Sequence, residues 1–393
     1  MGIMQASFHR SPAAAAALGG FGLASAMGIG RFAFTPMLPL MQHAYAMPLQ
    51  QGSWLASANY VGYLLGALLC VALDLRPGAA ARFGLAVVAF TTLAMGLTES
   101  FAAWMLLRAL AGVSSAFALV GMASWAMGIL ARERRAEWAG WIFFGIGSGI
   151  VLAGVIGLTA GAFEWSPASS WLLFGAVAMA IAVAAWRPLA DDAEPVKSGA
   201  TARTDARIGG DAWTLIVCYG IYGFGYIIPA TFLPALGRQL LPDPLVFGWA
   251  WPAFGAAAGL STLFAASRLK GVPPRRLVAL GTLLTAAGVA APALAPGLAT
   301  ILISALCVGG SFVVVTMAAF QDARLVAGAA TSRVVAAMTA AFALGQLIGP
   351  LTVRSASIET SLFVPSLAAS VALLAAAIVL LLRPARRFGP VAD

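Results

Sequence analysis

Charged residues make up only 9% of this 393-residue chain, where an ordinary soluble domain carries about 25%. So few charges cannot cover a water-facing surface, and a soluble globular fold is excluded. Histidine is limited to His9 and His43, and no HExxH motif is present. That excludes the commonest metal-assisted chemistries and leaves no metal or cofactor expected. Cys70, Cys218 and Cys307 lie in apolar runs without CxxC spacing, which excludes a disulfide framework and reads as small buried side chains. What remains is apolar: 61% of residues are hydrophobic and the mean hydropathy is +0.92. Bilayer-spanning helices need about 20 apolar residues each, and twelve of them account for about 240 residues. An all-α polytopic membrane protein is the class that this composition permits, with the lipid bilayer as its first partner.

Apolar runs between charge or Pro/Gly/Ser breaks predict twelve helices. In the first half they cover Ala13–Met41, Trp54–Leu73, Phe83–Thr98, Phe101–Leu130, Ala139–Phe163 and Ser170–Trp186. In the second half they cover Ala212–Leu236, Phe247–Ser267, Leu277–Ala291, Leu298–Phe320, Val334–Val353 and Leu362–Leu382. The apolar run from Ala13 outlasts the about 7–15-residue core of a cleavable signal, so the leader with His9 and Arg10 is expected to be a retained cytoplasmic tail. The polar stretch 187–210 separates residues 1–186 from 211–393 and reads as a cytoplasmic linker between two six-helix bundles.

The formal charge of +9 raises nucleic-acid binding as a possibility, but the basic residues sit in short blocks between apolar spans rather than on one face. No nucleic-acid partner is expected. Loop by loop, only Arg238 and Arg354 fall in the segments opposite the N-terminus, while Arg31 and Arg108 fall within spans. The other 19 of the 23 Lys and Arg residues lie on the N-terminal side. The positive-inside effect therefore predicts that both termini are cytoplasmic, in a plasma (inner) membrane.

The halves repeat. A shift of 195 lays Gly28-Ile29-Gly30-Arg31 over Gly223-Phe224-Gly225-Tyr226, Leu38-Pro39 over Leu233-Pro234, and Trp54 over Trp249. Six plus six spans related in this way predict a parallel repeat about an axis along the membrane normal, the arrangement of an alternating-access carrier. Gly28-Ile29-Gly30-Arg31-Phe32-Ala33 also matches a dinucleotide fingerprint, but it lacks the preceding strand and the βαβ unit that would give the match meaning.

Several motifs then carry a resemblance: Gly30-Arg31-Phe32 leading to Leu38-Pro39, Asn59-Tyr60-Val61-Gly62-Tyr63, Tyr222-Gly223-Phe224-Gly225-Tyr226 leading to Thr231-Phe232-Leu233-Pro234, and Gly345-Gln346-Leu347-Ile348-Gly349-Pro350. On these, the chain resembles the major facilitator superfamily and, within it, the YbfB/YjiJ-type branch. The resemblance covers nearly the whole chain. It implies a central cavity lined mainly by spans 1, 4, 7 and 10 and closed alternately at each face. The loop after span 2, Asp74-Leu75-Arg76-Pro77-Gly78 followed by Arg82, is similar to the superfamily's G-x-x-x-D-R-x-G-R-R with one extra residue. Asp74 and Arg76 there suit either a latch between the halves or ordinary positive-inside charge. Span 5 lacks the Gly-Pro pair of the antiporter signature, which counts against efflux.

Ionisable groups inside a bilayer are costly, and so mark function by default. Arg31 lies about 15 Å down span 1 and Arg108 about 10 Å down span 4 from the same side, at 1.5 Å per residue, so both face one cavity at similar height. All 14 acids fall in loops or near helix ends. The two cations therefore point to an anionic or strongly hydrogen-bonding solute. For Arg108, bracing of span 4 or snorkelling toward Glu99 stays open beside solute contact. Tyr219, Tyr222 and Tyr226 form one helical stripe, open to solute contact or to helix packing. Asn59, Tyr60 and Tyr63 are expected to tie helices together, with Gln346 beside them in a gating or structural role. Pro36 and Pro39, matched by Pro229 and Pro234, allow bends at equivalent places.

The function expected is secondary transport of a small organic solute, anionic or polar, by a functional monomer with a proton as the candidate coupling ion. Efflux of hydrophobic compounds is the alternative. An intramembrane enzyme is excluded, for want of a mid-span nucleophile with its base.

Overall fold

The computed structural model describes residues 11–73, 75–135, 138–189, 208–240, 248–269, 271–327, 330–352 and 358–383. Among these there are only helices and turns. Twelve long helices run in order: α1 Pro12–Ala44, α2 Leu49–Leu73, α3 Pro77–Met95, α4 Phe101–Arg132, α5 Ala139–Ala162, α6 Pro167–Trp186, α7 Gly210–Leu240, α8 Ala250–Arg268, α9 Pro274–Leu294, α10 Leu298–Ala327, α11 Thr331–Leu351 and α12 Ile358–Leu382. Eleven are long and apolar enough to cross a membrane. The exception, α8, buries Thr262 with Gly255, Gly259 and Phe254 against α5 and α10.

Local sequence sets where helices begin. Ser11 and Ser166 each stand before a proline, and each hydroxyl accepts from a backbone N–H three residues on, at 3.2 and 3.1 Å. Serine satisfies an orphan donor of the first turn, and proline at the first position loses nothing because its N–H would be unpaired anyway. The surface is inverted relative to a soluble protein. Phe90, Val183, Leu294 and Val371 are each more than 60% exposed, as suits helices that face acyl chains.

We call the end where α1 begins the start face and the opposite end the far face. At the far face Tyr45, after α1, meets Trp104 at the head of α4, with ring centroids 5.1 Å apart. At the start face Arg275, opening α9, donates to the carbonyls of Asp211 at the head of α7 and Arg383 beyond α12. Odd helices thus run from start to far and even helices return.

The two six-helix bundles are α1–α6 and α7–α12, and they meet along α5 with α8, α2 with α11, and the far half of α1 with α7. The repeat is visible in the packing. α1 meets α5 as α7 meets α11: a β-carbon on Gly145 would lie 2.0 Å from the Gly20 carbonyl oxygen, and one on Gly345 would lie 2.3 Å from that of Gly220, a shift of 200 that is five residues off the 195 register. Thr35 donates to the carbonyl of Ala230, 195 residues away, at 2.8 Å. Repeat-related backbone therefore meets where the pseudo-twofold axis crosses the seam.

Close approach also joins α2 to α4, where a β-carbon on Gly112 would lie 2.0 Å from the Asn59 carbonyl oxygen. Backbone cannot yield as a flexible side chain can, so Gly112→Ala must push the helices apart. We expect a loss of about 1–3 kcal/mol of stability, read as a lower unfolding temperature in detergent. An unchanged transition would mean that α2 and α4 do not touch at this point.

Candidate functional site

The seam at mid-membrane is organised by a defect in α1. Between Pro12–Leu23 and Phe34–Ala44, the segment Ala24–Phe32 is a π-helix. Its i→i+5 bonding breaks register with the α-helical turns on either side and frees carbonyl groups, and such segments recur at functional sites. In an apolar interior those carbonyls must find donors. Ala26 O accepts from the Ser115 hydroxyl at 2.9 Å. Gly30 O accepts from Asn59 Nδ2 at 3.4 Å and Arg108 Nη1 at 3.3 Å. Arg31 O accepts from Arg108 Nη2 at 3.4 Å.

The two spanning arginines therefore lie at one height, but their guanidiniums differ in use. Arg108 donates to three carbonyls, the third being Leu55 O at 3.5 Å, and covers the Phe34 ring from 4.7 Å. All three of its nitrogens are thus turned to backbone carbonyls, none to Glu99. Arg31, only 3% exposed, reaches across the seam instead. Its Nη2 donates to Gln346 Oε1 on α11 at 3.0 Å, and its guanidinium lies 4.0 Å above the Tyr63 ring. Its Nε is buried with no partner. Among the described residues no carboxylate lies within ion-pair distance of it.

Gln346 continues the chain of bonds, because its Nε2 donates to the Tyr226 hydroxyl. Arg31 and Tyr226, equivalent in the repeat, are thus joined through one amide. The other two tyrosines of the stripe turn elsewhere. Tyr219 donates to Thr316 on α10 at 3.1 Å, and the Tyr222 oxygen accepts from Thr285 on α9 at 3.5 Å. The three rings stack within 10° of one another and against Phe342. The hydroxyls of Tyr219 and Tyr222 are thus engaged within the second bundle.

Asn59 holds α2 to α1 and α4 through its amide, also donating to Arg108 O at 3.0 Å. Tyr60 meets the Thr231 hydroxyl across the seam at 3.0 Å. Nearer the far face, Arg238 donates to the Pro39 carbonyl at 2.8 Å. Pro39 and Pro234 line, with Arg238, His43 and Trp251, a cavity of about 570 Å³ at that end of the seam. Arg76 is exposed at the head of α3, and Asp74 lies outside the described residues.

Asp322, expected in a loop or near a helix end, lies in the last two turns of α10, and there it is fully buried in an ion pair that spacing along the chain did not indicate. Its Oδ2 accepts from Arg275 Nε at 2.8 Å, and Asp211 Oδ1 lies 3.8 Å from Arg275 Nη1. The predicted tenth span stops at Phe320, whereas the helix runs on to Ala327. Continued 3.6-residue periodicity past Phe320 was the available signal.

The family whose description is "Uncharacterised MFS-type transporter YbfB" matches residues 23–382, which is nearly the whole described chain. The chain belongs to this family of membrane transporters. A crystal structure of a mutant of the nucleoside transporter NupG superimposes on this YbfB-type protein with a TM-score of 0.70, at 13% identity, covering 93% of this chain and 99% of that one. That likeness shows the fold. The uncharacterised MFS-type transporter YceJ of Bacillus subtilis (strain 168) is 33% identical over 99 residues, a stretch spanning 25% of each protein.

Arg108 gives a direct test of its place in this YbfB-type transporter. Arg108→Gln withdraws donors from carbonyls that no water can reach. We expect a loss of about 1–3 kcal/mol of stability with the charge preference of the remaining activity unchanged. A stable variant whose preference shifts from anions to neutral solutes would place Arg108 on the solute instead.

Proposed function

We propose that this transporter moves a small organic anion by alternating access, with Arg31 as the group that holds the solute's negative charge. One observation carries the reading: a buried guanidinium at the seam of the two bundles has no counter-charge among the described residues, and its bonded partner belongs to the opposite bundle. A buried cation left unpaired is costly, and an anion arriving in the seam removes that cost. Because Arg31 stands on α1 while Gln346 and Tyr226 stand on α11 and α7, a solute that engages both sides ties its own binding to the relative position of the bundles. Arg108 and Asn59 serve as positioning residues that hold the π-helical segment, and Tyr219 and Tyr222 support Tyr226 from behind.

The bonds Thr35–Ala230, Tyr60–Thr231 and Arg238–Pro39 all join the bundles on the far side of Arg31, so they form the closure that must open for access from that face. With the start face cytoplasmic, as the basic loops favour, this is a conformation closed to the exterior. Pro39 and Pro234 flank that closure and supply its bends, and Arg76 belongs to the start-face loop. No carboxylate among the described residues lies beside Arg31, while Glu164 lines the far-face cavity, so a coupling proton travels on the solute itself or by way of that outer carboxylate. Efflux of hydrophobic compounds draws support from the ring-lined wall, but it leaves Arg31 without a task. The chain acts as a carrier, as a monomer, and not as an enzyme.

The test is flux in proteoliposomes holding the purified full chain, with panels of organic anions, neutral solutes and cations. Uptake confined to anions is the expected result. Transport of cations or of uncharged apolar compounds at equal rates would overturn the assignment.

A further inference from the structure

The central site narrows the solute further, given the reading of Arg31 as its anion-holding group. We propose that it selects monocarboxylates with a flat apolar body, the two carboxylate oxygens taking the free Nε–H of Arg31 and the hydroxyl hydrogen of Tyr226.

The first argument is charge. Arg108 is engaged by backbone carbonyls, and Arg275 is paired with Asp322 near the start face. Arg108 keeps its charge but has all three nitrogens on carbonyls, so Arg31 is the one guanidinium at this level with a donor to spare among the described residues. One negative charge neutralises it, whereas a dianion leaves a second charge buried in a low-dielectric seam, where the penalty is steep.

The second argument is the donor set. Arg31 Nε is fully buried and unpartnered. The Tyr226 oxygen accepts from Gln346, so its own hydrogen points elsewhere, with no acceptor among the described residues. Both donors flank a single amide, since Gln346 bonds to Arg31 with one end and to Tyr226 with the other. Two donors on either side of one amide suit the two oxygens of one carboxylate. Gln346 Oε1 holds Arg31 Nη2 meanwhile, as the oxygen of a neutral group standing in for an anion.

The third argument is shape. Phe312 lies parallel to Tyr226, with 1° between planes and 5.7 Å between centroids, and Phe342 lies within 16° of it. Phe312 and Phe342 keep 6% and 9% exposure, against 1% for Tyr226, so of these rings they are the two with some face left to offer a guest. Near-parallel rings favour a planar guest by offset stacking. Nearby hydroxyls are already paired: Tyr60 with Thr231, Tyr219 with Thr316, Thr285 with Ser311.

The experiment is calorimetric titration of the detergent-purified full chain at pH 7.4 with benzoate, cyclohexanecarboxylate, terephthalate, benzyl alcohol and uridine. We expect benzoate to bind, cyclohexanecarboxylate to bind roughly threefold or more weakly, and terephthalate and benzyl alcohol roughly tenfold or more weakly. Tyr226→Phe should weaken benzoate about tenfold, and Phe312→Leu should erase the preference for benzoate over cyclohexanecarboxylate while Arg31 still holds the charge. Terephthalate binding as tightly as benzoate would overturn the single-charge argument while leaving the anion reading intact. Equal binding of the two monocarboxylates would overturn the planar slot. Binding of uridine or benzyl alcohol without binding of any anion would overturn the parent reading along with this one, as would no binding by any of the five.

Discussion

Arg31→Ala is expected to abolish anion uptake in proteoliposomes while leaving the protein folded. A charge-assisted hydrogen bond contributes about 1.5–3 kcal/mol, which corresponds to roughly 10–150-fold in affinity. The loss falls on a group with no neighbour able to replace it, because Arg108 is held by Gly30, Arg31 and Leu55 carbonyls. Arg31→Lys separates charge from geometry. An ammonium keeps the positive charge but not the planar fork that reaches Gln346 with one arm and keeps Nε free, so partial activity with weakened affinity is expected. The measurement is initial uptake rate against solute concentration for all three proteins. Wild-type rates in both variants would show that the charge at this seam serves no solute.

The second large effect concerns stability. Asp322→Ala is expected to destabilise the C-terminal bundle by up to about 3–5 kcal/mol, since it leaves the buried Arg275 with only the more distant and more exposed Asp211 carboxylate, 3.8 Å away. Arg275 is 3% exposed and ties α10 to the head of α7 and to the residue after α12, so its strain reaches three other helices. Replacing both partners is expected to cost much less, because apolar residues of similar size remove the buried charge altogether. Unfolding in detergent of Asp322→Ala, Arg275→Met and the double variant gives the comparison. If the double variant is as unstable as the sum of the singles, the pair is not coupled and the account of α10 fails.

The contrast between Arg31 and the Arg275–Asp322 pair shows how much was legible in the chain. Both arginines are buried, yet only Arg31 stands in an apolar run far from any acid in sequence, so its isolation was readable in advance. Arg275 follows two prolines at a helix start and resembles any positive-inside loop residue. Its partner lies 47 residues on, in a stretch that charge alone marked as a loop or helix end. Sequence periodicity does not say that a helix will carry an aspartate inward when a cation waits there. For the same reason the tyrosine stripe was visible as a stripe, while the division of its hydroxyls among Gln346, Thr316 and Thr285 was not.

Composition, hydropathy and the 195-residue repeat by themselves determined the membrane class, the twelve helices and the pairing of Arg31 with Tyr226 as equivalent positions, because these follow from transfer energies and spacing along one chain. Tertiary structure alone decided what each guanidinium touches. The π-helical segment of α1 frees carbonyls that draw Arg108 inward, and the approach of α11 brings Gln346 to Arg31 from 315 residues away. Such contacts depend on where separate helices come to rest against one another, and that is a property of packing rather than of local pattern.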